Sequence, residues 1–346
     1  MLSERIRRKA LSLGFDLAGV TDAEPLHIDY LNHLLGWLDA GYAGEMTWMH
    51  KNLEKRINPA KLLAGAKSVI VVGLNYKPPL SLRAKQTQPF GHIAAYAHYE
   101  DYHPFIKKQL RKLVDYLIEI TGPGLKFQIC VDSSPLLERA LAVKAGLGFI
   151  GKNHMLTNPR FGPQIFLGEV ITNLEIELLN GCGHAARPPE ADKFRQTLNA
   201  ADASRATGGR MTQPDVFEGC QSCNKCLSAC PTGALRPDGS FDATKCISYL
   251  TIEANTEIPS ELTPKIGNRL FGCSECVHAC PFQQNAPTCA NRQFAFYPDR
   301  AEIDLNEVLN LTENHFQIRF ADSPILRPGL GHLKQVAQIC LNNLNL

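Results

Sequence analysis

Apolar residues return at helical spacing from the start of the chain. Ile6, Ala10, Leu11 and Leu13 fall on one face of residues 3–13, with Arg5, Arg7, Arg8 and Lys9 elsewhere, the pattern of an amphipathic helix. Residues 28–40 predict a second helix, ended at Gly41. A third segment, 44–55, is halted by Arg56-Ile57-Asn58-Pro59, because the residue before proline is steered out of the helical region. The period then changes. Residues 67–74 are apolar and β-branched without alternation, as in a strand buried on both faces. Pro78, Pro79 and Pro89 make 78–90 a loop, and 93–97 reads as a short strand. Residues 104–120 form a long helix with Phe105, Leu110, Leu113, Leu117 and Ile120 inward, and 127–132 a second central strand. Ser133 or Ser134 is placed to cap a helix running to Gly146, with Pro135 in its first turn. Residues 149–151 and 164–171 return to sheet. This alternation predicts one α/β domain over residues 1–178.

From 179 to 218 the chain is rich in Ala, Gly, Pro and polar residues, an exposed insertion or linker with room for one short helix at 190–205. Cys182 and His184 lie there, and two ligands alone make a weak metal site. Residues 291–346 turn helical again. Leu305, Val308 and Leu309, then Leu333, Val336, Ala337 and residues 339–341, predict two helices packed as a small cap. A length of 346 residues suggests two or three domains, and an apolar share of 44% fills ordinary cores. Net charge is +2, so nucleic-acid binding would need a local patch, with Lys107, Lys108, Arg111 and Lys112, or Arg319, Arg327 and Lys334, as candidates against the plain reading of solvated helix faces. No apolar signal core follows Met1, and no stretch of about 18 apolar residues predicts a membrane span. The cysteine usage points to a reducing cytoplasm.

The chemistry concentrates between Cys220 and Cys280. One comb is Cys220-x2-Cys223-x2-Cys226-x3-Cys230-Pro231, and the other is Cys273-x2-Cys276-x3-Cys280-Pro281, with Cys246 between them. This is how bacterial ferredoxins hold iron–sulfur cubes: two-residue spacers aim successive thiolates at one cluster, and the cysteine ahead of proline reaches the other. Cys220, Cys223, Cys226 and Cys280 then hold cluster one, and Cys230, Cys246, Cys273 and Cys276 hold cluster two, over a domain spanning 219–290. Structural zinc favours paired cysteines instead, and disulfides need an oxidising compartment.

No G-x-G-x-x-G follows the 67–74 strand, and there is no P-loop or Ser-His-Asp elbow, so the electrons are destined for another cofactor or a bound substrate. Asp132 closes an apolar strand, where α/β sheets place ligand groups. Partial desolvation would raise its pKa and suit a proton donor, while the plain alternative is a helix cap. Asp101, Tyr102 and His103 cluster ahead of a helix, as a site or as a helix-start acid beside a surface histidine. In the turn 148–154, Lys152, Asn153 and His154 could hold an anionic or amide-rich ligand, or form an ordinary loop. Cys130 and Cys340 read as small buried hydrophobes.

Several blocks together resemble the epoxyqueuosine reductase family. They are Tyr96-Ala97 with Asp101-Tyr102-His103, Val131-Asp132-Ser133-Ser134-Pro135-Leu136-Leu137-Glu138-Arg139, Gly146-Leu147-Gly148-Phe149-Ile150-Gly151-Lys152-Asn153, Phe166-Leu167-Gly168-Glu169, Cys230-Pro231-Thr232-Gly233-Ala234-Leu235, Cys246-Ile247-Ser248-Tyr249-Leu250, and Ile266-Gly267-Asn268-Arg269 with Phe271-Gly272-Cys273. The resemblance implies an α+β/α/β architecture: a nitroreductase-like cobalamin-binding α/β domain, a two-cluster ferredoxin-like domain and a short helical C-terminal cap. It implies base-off cobalamin reduced through two [4Fe-4S] clusters and a transfer-RNA substrate; an external low-potential electron donor and a monomer are expected beside it. The epoxide of the modified wobble base becomes a cyclopentene with two electrons, two protons and loss of water. Asp132 is then the proton donor, and Arg56, Lys152, Asn153 and His154 contact the corrin or the substrate. The chain departs from the family at Tyr99 and Glu100, at Pro163 and at His154, and a bulky Tyr99 beside an acidic Glu100 would narrow the pocket or repel phosphate. The alternatives are a corrinoid iron–sulfur reductase of a small molecule, akin to reductive dehalogenases, and a ferredoxin-type electron carrier.

Overall fold

The structure, a computed structural model, describes residues 1–79, 89–178 and 218–344. Most of the expected loop at 78–90, the insertion with its short helix, Cys182 and His184 therefore lie outside the described residues.

The amphipathic start forms helix α1 (Leu2–Ser12), followed by strand β1 (Leu17–Asp22), helices α2 (Ile28–Asp39) and α3 (Leu53–Ile57), and strand β2 (Ser68–Asn75). Strand β3 (Phe90–Ile93), helix α4 (Tyr102–Thr121), strand β4 (Phe127–Cys130), helix α5 (Glu138–Lys144), and strands β5 (Phe149–Ile150), β6 (Leu156–Thr157) and β7 (Ile165–Thr172) complete the first part. The main sheet runs β1-β2-β7-β4. Every pairing in it is antiparallel, so the layer is α+β in detail and not a wound parallel sheet. β2 and β7 occupy its centre and every residue of both is buried, which is what their unbroken apolar runs demand. The expected central strand at 127–132 is instead a short edge strand. Gln128 within it is exposed, and an edge gives that side chain water.

Helices cover both faces. Ile6 and Ala10 of α1 and Ile106, Leu110, Leu113 and Leu117 of α4 pack on Ile70, Val72, Leu74, Phe166 and Val170. Ala140, Leu141 and Ala142 of α5 pack on Val69, Val71, Leu167 and Ile171 behind. Gly168 lets α4 sit close, since a Cβ there would lie 2.7 Å from Ile106 Cγ2. Leu110, Leu113 and Leu117 are fully buried, and truncating any of them to alanine typically costs about 2–5 kcal/mol.

Two local expectations change. The strand expected at 93–97 ends at Ile93, and residues Ala95–His98 form a short helical turn. Its partners β8 (Arg269–Phe271) and β9 (Glu302–Asp304) are three residues long, so the ladder runs out. The helix expected from Ser133 or Ser134 begins at Glu138. Asp132 has φ of +52°, and the serines serve a turn instead: Ser133 N donates to Val131 O at 2.5 Å, Leu136 N to Ser134 O at 2.8 Å.

The second sheet, β8-β3-β9, joins three distant segments of the chain. Its core draws Leu250, Leu270, Phe271, Ile303, Leu305, Phe316, Phe320, Leu333 and Val336 into one cluster. The C-terminal region, expected as two helices, contains Leu305–Asn310, Glu313–Arg319 and Gly329–Leu344, and all three pack into this same core. Among the described residues, no helix is long and apolar enough to cross a membrane.

Candidate active site and cluster centre

The cysteine combs wrap short helices. Cys226 lies in the helix Lys225–Ala229, Cys276 in Glu275–His278, Cys246 caps Ile247–Ile252, and Cys280 precedes Pro281–Gln284, whose proline needs no amide partner at a first turn. The thiols influence one another's charge in two sets. Cys220 feels Cys223 and Cys280, and Cys226 feels Cys220 and Cys223. Cys276 feels Cys230, Cys246 and Cys273, with Cys226 linking the sets. Burial pushes the thiols of Cys226 and Cys273 up to about 11, and that of Cys276 further. Backbone amides nonetheless aim at the sulfurs: those of Tyr249 and Ser248 at Cys246, of Phe282 and Gln283 at Cys280. At Cys230, burial is outweighed by the amides of Leu235, Thr232 and Ala234 with the Thr232 hydroxyl, and the thiol is held below its ordinary range. Sulfurs that are buried yet surrounded by donors suit thiolates bound to a cationic iron cluster.

The turn 148–154 closes on the first comb. Lys152 N donates to Cys220 Sγ at 3.4 Å, and Lys152 Nζ to Gln221 O and Asn224 Oδ1 at 2.8 Å each. Gly151 makes room, since a Cβ there would lie 3.6 Å from Cys220 Sγ and 2.9 Å from Asn153 Oδ1.

Asp132 sits between β4 and α5 in a left-handed turn that non-glycine residues rarely adopt. Its amide donates to Glu138 Oε1 at 2.5 Å. Its Oδ2 accepts from Tyr102 Oη at 2.6 Å and lies 3.2 Å from His103 Nε2. His103 Nδ1 lies 2.7 Å from Asp101 Oδ1, so both ring nitrogens face carboxylates and the ring is held as imidazolium. Burial works against that charge, but the bonds to Asp101 and Asp132 outweigh it and lift the His103 pKa to about 9. The expected desolvation-raised acid is therefore reversed. The His103 bond, reinforced by Tyr102, overcomes burial and holds Asp132 below the usual carboxylate range. The proton resides on the partners of Asp132, whose side chain keeps 59% of its surface open.

An aromatic path leads from this acid to the second cysteine set. Tyr102 stacks on Phe166 at 4.1 Å, Phe166 meets Tyr76 at 4.3 Å with the rings tilted by 33°, and Tyr76 is within electrostatic reach of Cys276. Arg327 acts on Asp132 from the C-terminal segment, is paired with Glu253 at 2.5 Å, and lies 5.7 Å from the exposed Trp48 ring. A separate cavity of about 810 Å³ opens beside Cys273, between Lys77, His92, His98 and Glu302, and Asp132 is not among its lining residues.

The other expected contacts are placed as follows. Arg56 is buried, and its guanidinium donates to Trp48 O at 2.9 Å and Lys51 O at 3.3 Å, so it supports the segment that carries Trp48. Asn153 is buried and accepts from Met155 N at 3.2 Å. His154 packs its ring on Phe241 at 5.5 Å, its carbonyl accepts from Arg139, and burial drives its pKa down to about 3. The anticipated obstruction by Tyr99 and Glu100 is absent. Tyr99 is 1% exposed and stacks on Phe294 at 4.7 Å, and Glu100 Oε1 accepts from Ala295 N at 2.8 Å, so both serve packing. Sequence reasoning passed over Glu138, Glu169 and Tyr76. Glu169 carries a legible signal, a lone carboxyl within eight consecutive buried strand positions.

A family model described as epoxyqueuosine reductase QueG, DUF1730, matches residues 56–133, and one described as a 4Fe-4S double cluster binding domain matches residues 219–283. The epoxyqueuosine reductase of Francisella cf. novicida (strain Fx1) is 34% identical over 320 residues, 91% of this chain and 80% of that protein. A solved epoxyqueuosine reductase in complex with a tRNA-Tyr epoxyqueuosine-modified stem loop aligns with a TM-score of 0.80 at 29% identity, covering 99% of this chain and 81% of that one. The Bacillus subtilis enzyme, with its catalytic aspartate loop swung out of the active site, aligns with a TM-score of 0.80 at 28% identity over 99% and 81% of the two chains. With a third of its residues shared over nine-tenths of its length, the chain belongs to the epoxyqueuosine reductase family.

Proposed function

We propose that this chain reduces epoxyqueuosine at the wobble position of transfer RNA to queuosine, using two [4Fe-4S] clusters and base-off cobalamin. The observation that carries this reading is the donor set on Asp132 Oδ2, built from Tyr102 and His103 and open to solvent, in a chain of this family. Cys220, Cys223, Cys226 and Cys280 hold one cluster, and Cys230, Cys246, Cys273 and Cys276 the other. The two sets in which the thiols act on one another, and their amide donors, support that division.

The residues around Asp132 fit a large, mostly neutral ring: an open carboxylate, the phenols of Tyr96 and Tyr102, and Trp48 at 42% exposure. Cobalamin, when bound there, supplies a reducing cobalt centre. Arg56 holds the Trp48 segment, while Asn153 and His154 shape the loop beside the first comb. The chain's own chemistry is proton delivery. Epoxide and two electrons take up two protons, the carbon–oxygen bonds break, a carbon–carbon double bond forms, and the oxygen leaves as water. Asp132 passes one proton from His103 to that oxygen, and the second reaches it from solvent through the open face of Asp132. Lys107 Nζ lies 3.5 Å from Ser133 Oγ and places a cation beside this turn for RNA phosphate. In this reading the chain works in the cytoplasm as a monomer fed by an external low-potential donor.

The test is anaerobic protein with cobalamin, a strong reductant and an epoxyqueuosine stem loop, followed by nucleoside mass spectrometry. Wild type should form queuosine. Asp132→Asn should keep its iron and its corrin and lose turnover by about 100-fold or more. Full turnover in that variant refutes the proton-delivery role. Iron without bound corrin points instead to an electron carrier, and bound corrin without conversion to another substrate.

A further inference from the structure

Behind Asp132 lie two carboxyl groups that the proposed reaction leaves unused. Glu169 is fully buried in β7, opposite Val71 of β2 and Cys130 of β4, and shares its face of the sheet with Leu167 and Ile171 under α5. Glu138 opens α5. Among the described residues no N–H or O–H donor reaches either Glu169 oxygen, and the group that Glu169 faces is the Glu138 carboxyl. Two ionised carboxylates side by side in a buried site repel and leave both unsatisfied, whereas one proton between them satisfies both. Glu138 Oε1 must stay a bare acceptor, because it takes the Asp132 amide at 2.5 Å.

The neighbours reinforce this arrangement. Asp132 adds negative charge, and Tyr102 a neutral phenol. Arg139 is the adjacent cation, but it donates to the His154 carbonyl. Burial pushes the Cys130 thiol up to about 12, so it adds no charge. Burial first, and then the neighbouring carboxylates, raise both groups above the usual carboxylate range, so the pair keeps a proton that two separate carboxylates would lose.

We infer that Glu138 and Glu169 are a one-proton carboxyl pair that positions Asp132: Glu169 donates the shared proton to Glu138, and Glu138 grips the Asp132 amide and keeps the acid turned into the site. The pair explains how a non-glycine residue is held at φ +52° next to a short edge strand. Glu138 and Glu169 act through Asp132 and are positioning residues.

The role given to the pair rests on the proposed function, but its existence does not, and the two are tested separately. In the intact chain at neutral pH, the infrared difference between wild type and Glu169→Gln should show the carbonyl stretch of a protonated carboxylic acid, shifted in heavy water. Glu138→Gln should remove the same band. A flat difference spectrum in both overturns the pair, whatever the protein catalyses. In turnover, Glu138→Ala should lower kcat by about 100-fold, the scale of a 1 Å misplacement, with KM and iron content kept. Glu138→Gln, whose amide oxygen still accepts the Asp132 N–H, should recover most of that loss. A wild-type kcat in Glu138→Ala overturns the positioning role, whereas a wild type that turns over no stem loop refutes the proposed reaction and leaves the infrared result to decide the pair.

Discussion

At the residue scale, the centre is His103, clamped between Asp101 and Asp132. Its pKa of about 9 lies above the ordinary 6.5, so its ion pairs stabilise the fold fully below about pH 6.5 and fade as pH rises through 9. Asp101 and Asp132 are held below 3.8, so their share is present above the ordinary carboxylate range and is lost as pH falls through their lowered values. The melting temperature of His103→Gln should therefore fall furthest below wild type at about pH 5–6.5 and approach it by about pH 10. A gap that does not change with pH would show that the ring is not charged. The acid was legible in the sequence because a carboxyl ends an apolar strand. Its ionisation was not, because that depends on a histidine 29 positions away whose partner could not be read from spacing.

At the scale of elements, strands and helices with strong periodicity were legible: α1, α2, α4, β2 and β7 all fall within a few residues of the pattern. Weak ones were misread for reasons of partnership. β3 stops where its three-residue partners stop, and α5 starts late because Asp132 turns the chain. The cysteine spacing was the strongest signal, since ligand reach is written directly in sequence. Cys246 depends on its element. It caps the helix Ile247–Ile252, and Leu250 of that helix is locked into the C-terminal core. Cys246→Ala should keep the fold and lose about half of the bound iron, one cube of two. Iron content equal to wild type would refute that ligand assignment.

At the scale of the molecule, distant segments meet at the acid. Arg300 is 7% exposed and donates to Tyr99 O at 2.9 Å and Asp322 Oδ1 at 2.5 Å, while Asp101 N donates to Asp322 O at 2.6 Å. The C-terminal region thereby braces the start of α4, which periodicity along the chain could not reveal. Arg300→Ala should cost about 2 kcal/mol in denaturant unfolding, since it strands a buried carbonyl and a half-exposed carboxylate. It should also lower the His103 pKa seen by NMR, and an unchanged histidine titration would separate the brace from the site. The loop that carries Lys152 makes a comparable connection to the first comb, with a consequence for electron flow. An ammonium anchored on Gln221 and Asn224 and an amide donated to Cys220 both favour added negative charge on the cluster proposed there, so in the proposed two-cluster arrangement the cubes are not equivalent reservoirs. Replacing Lys152 with methionine should move one midpoint potential in a spectroscopic redox titration to a more negative value and leave the other in place. In that proposed arrangement, the first part of the chain tunes the potential of a cluster that the second part holds.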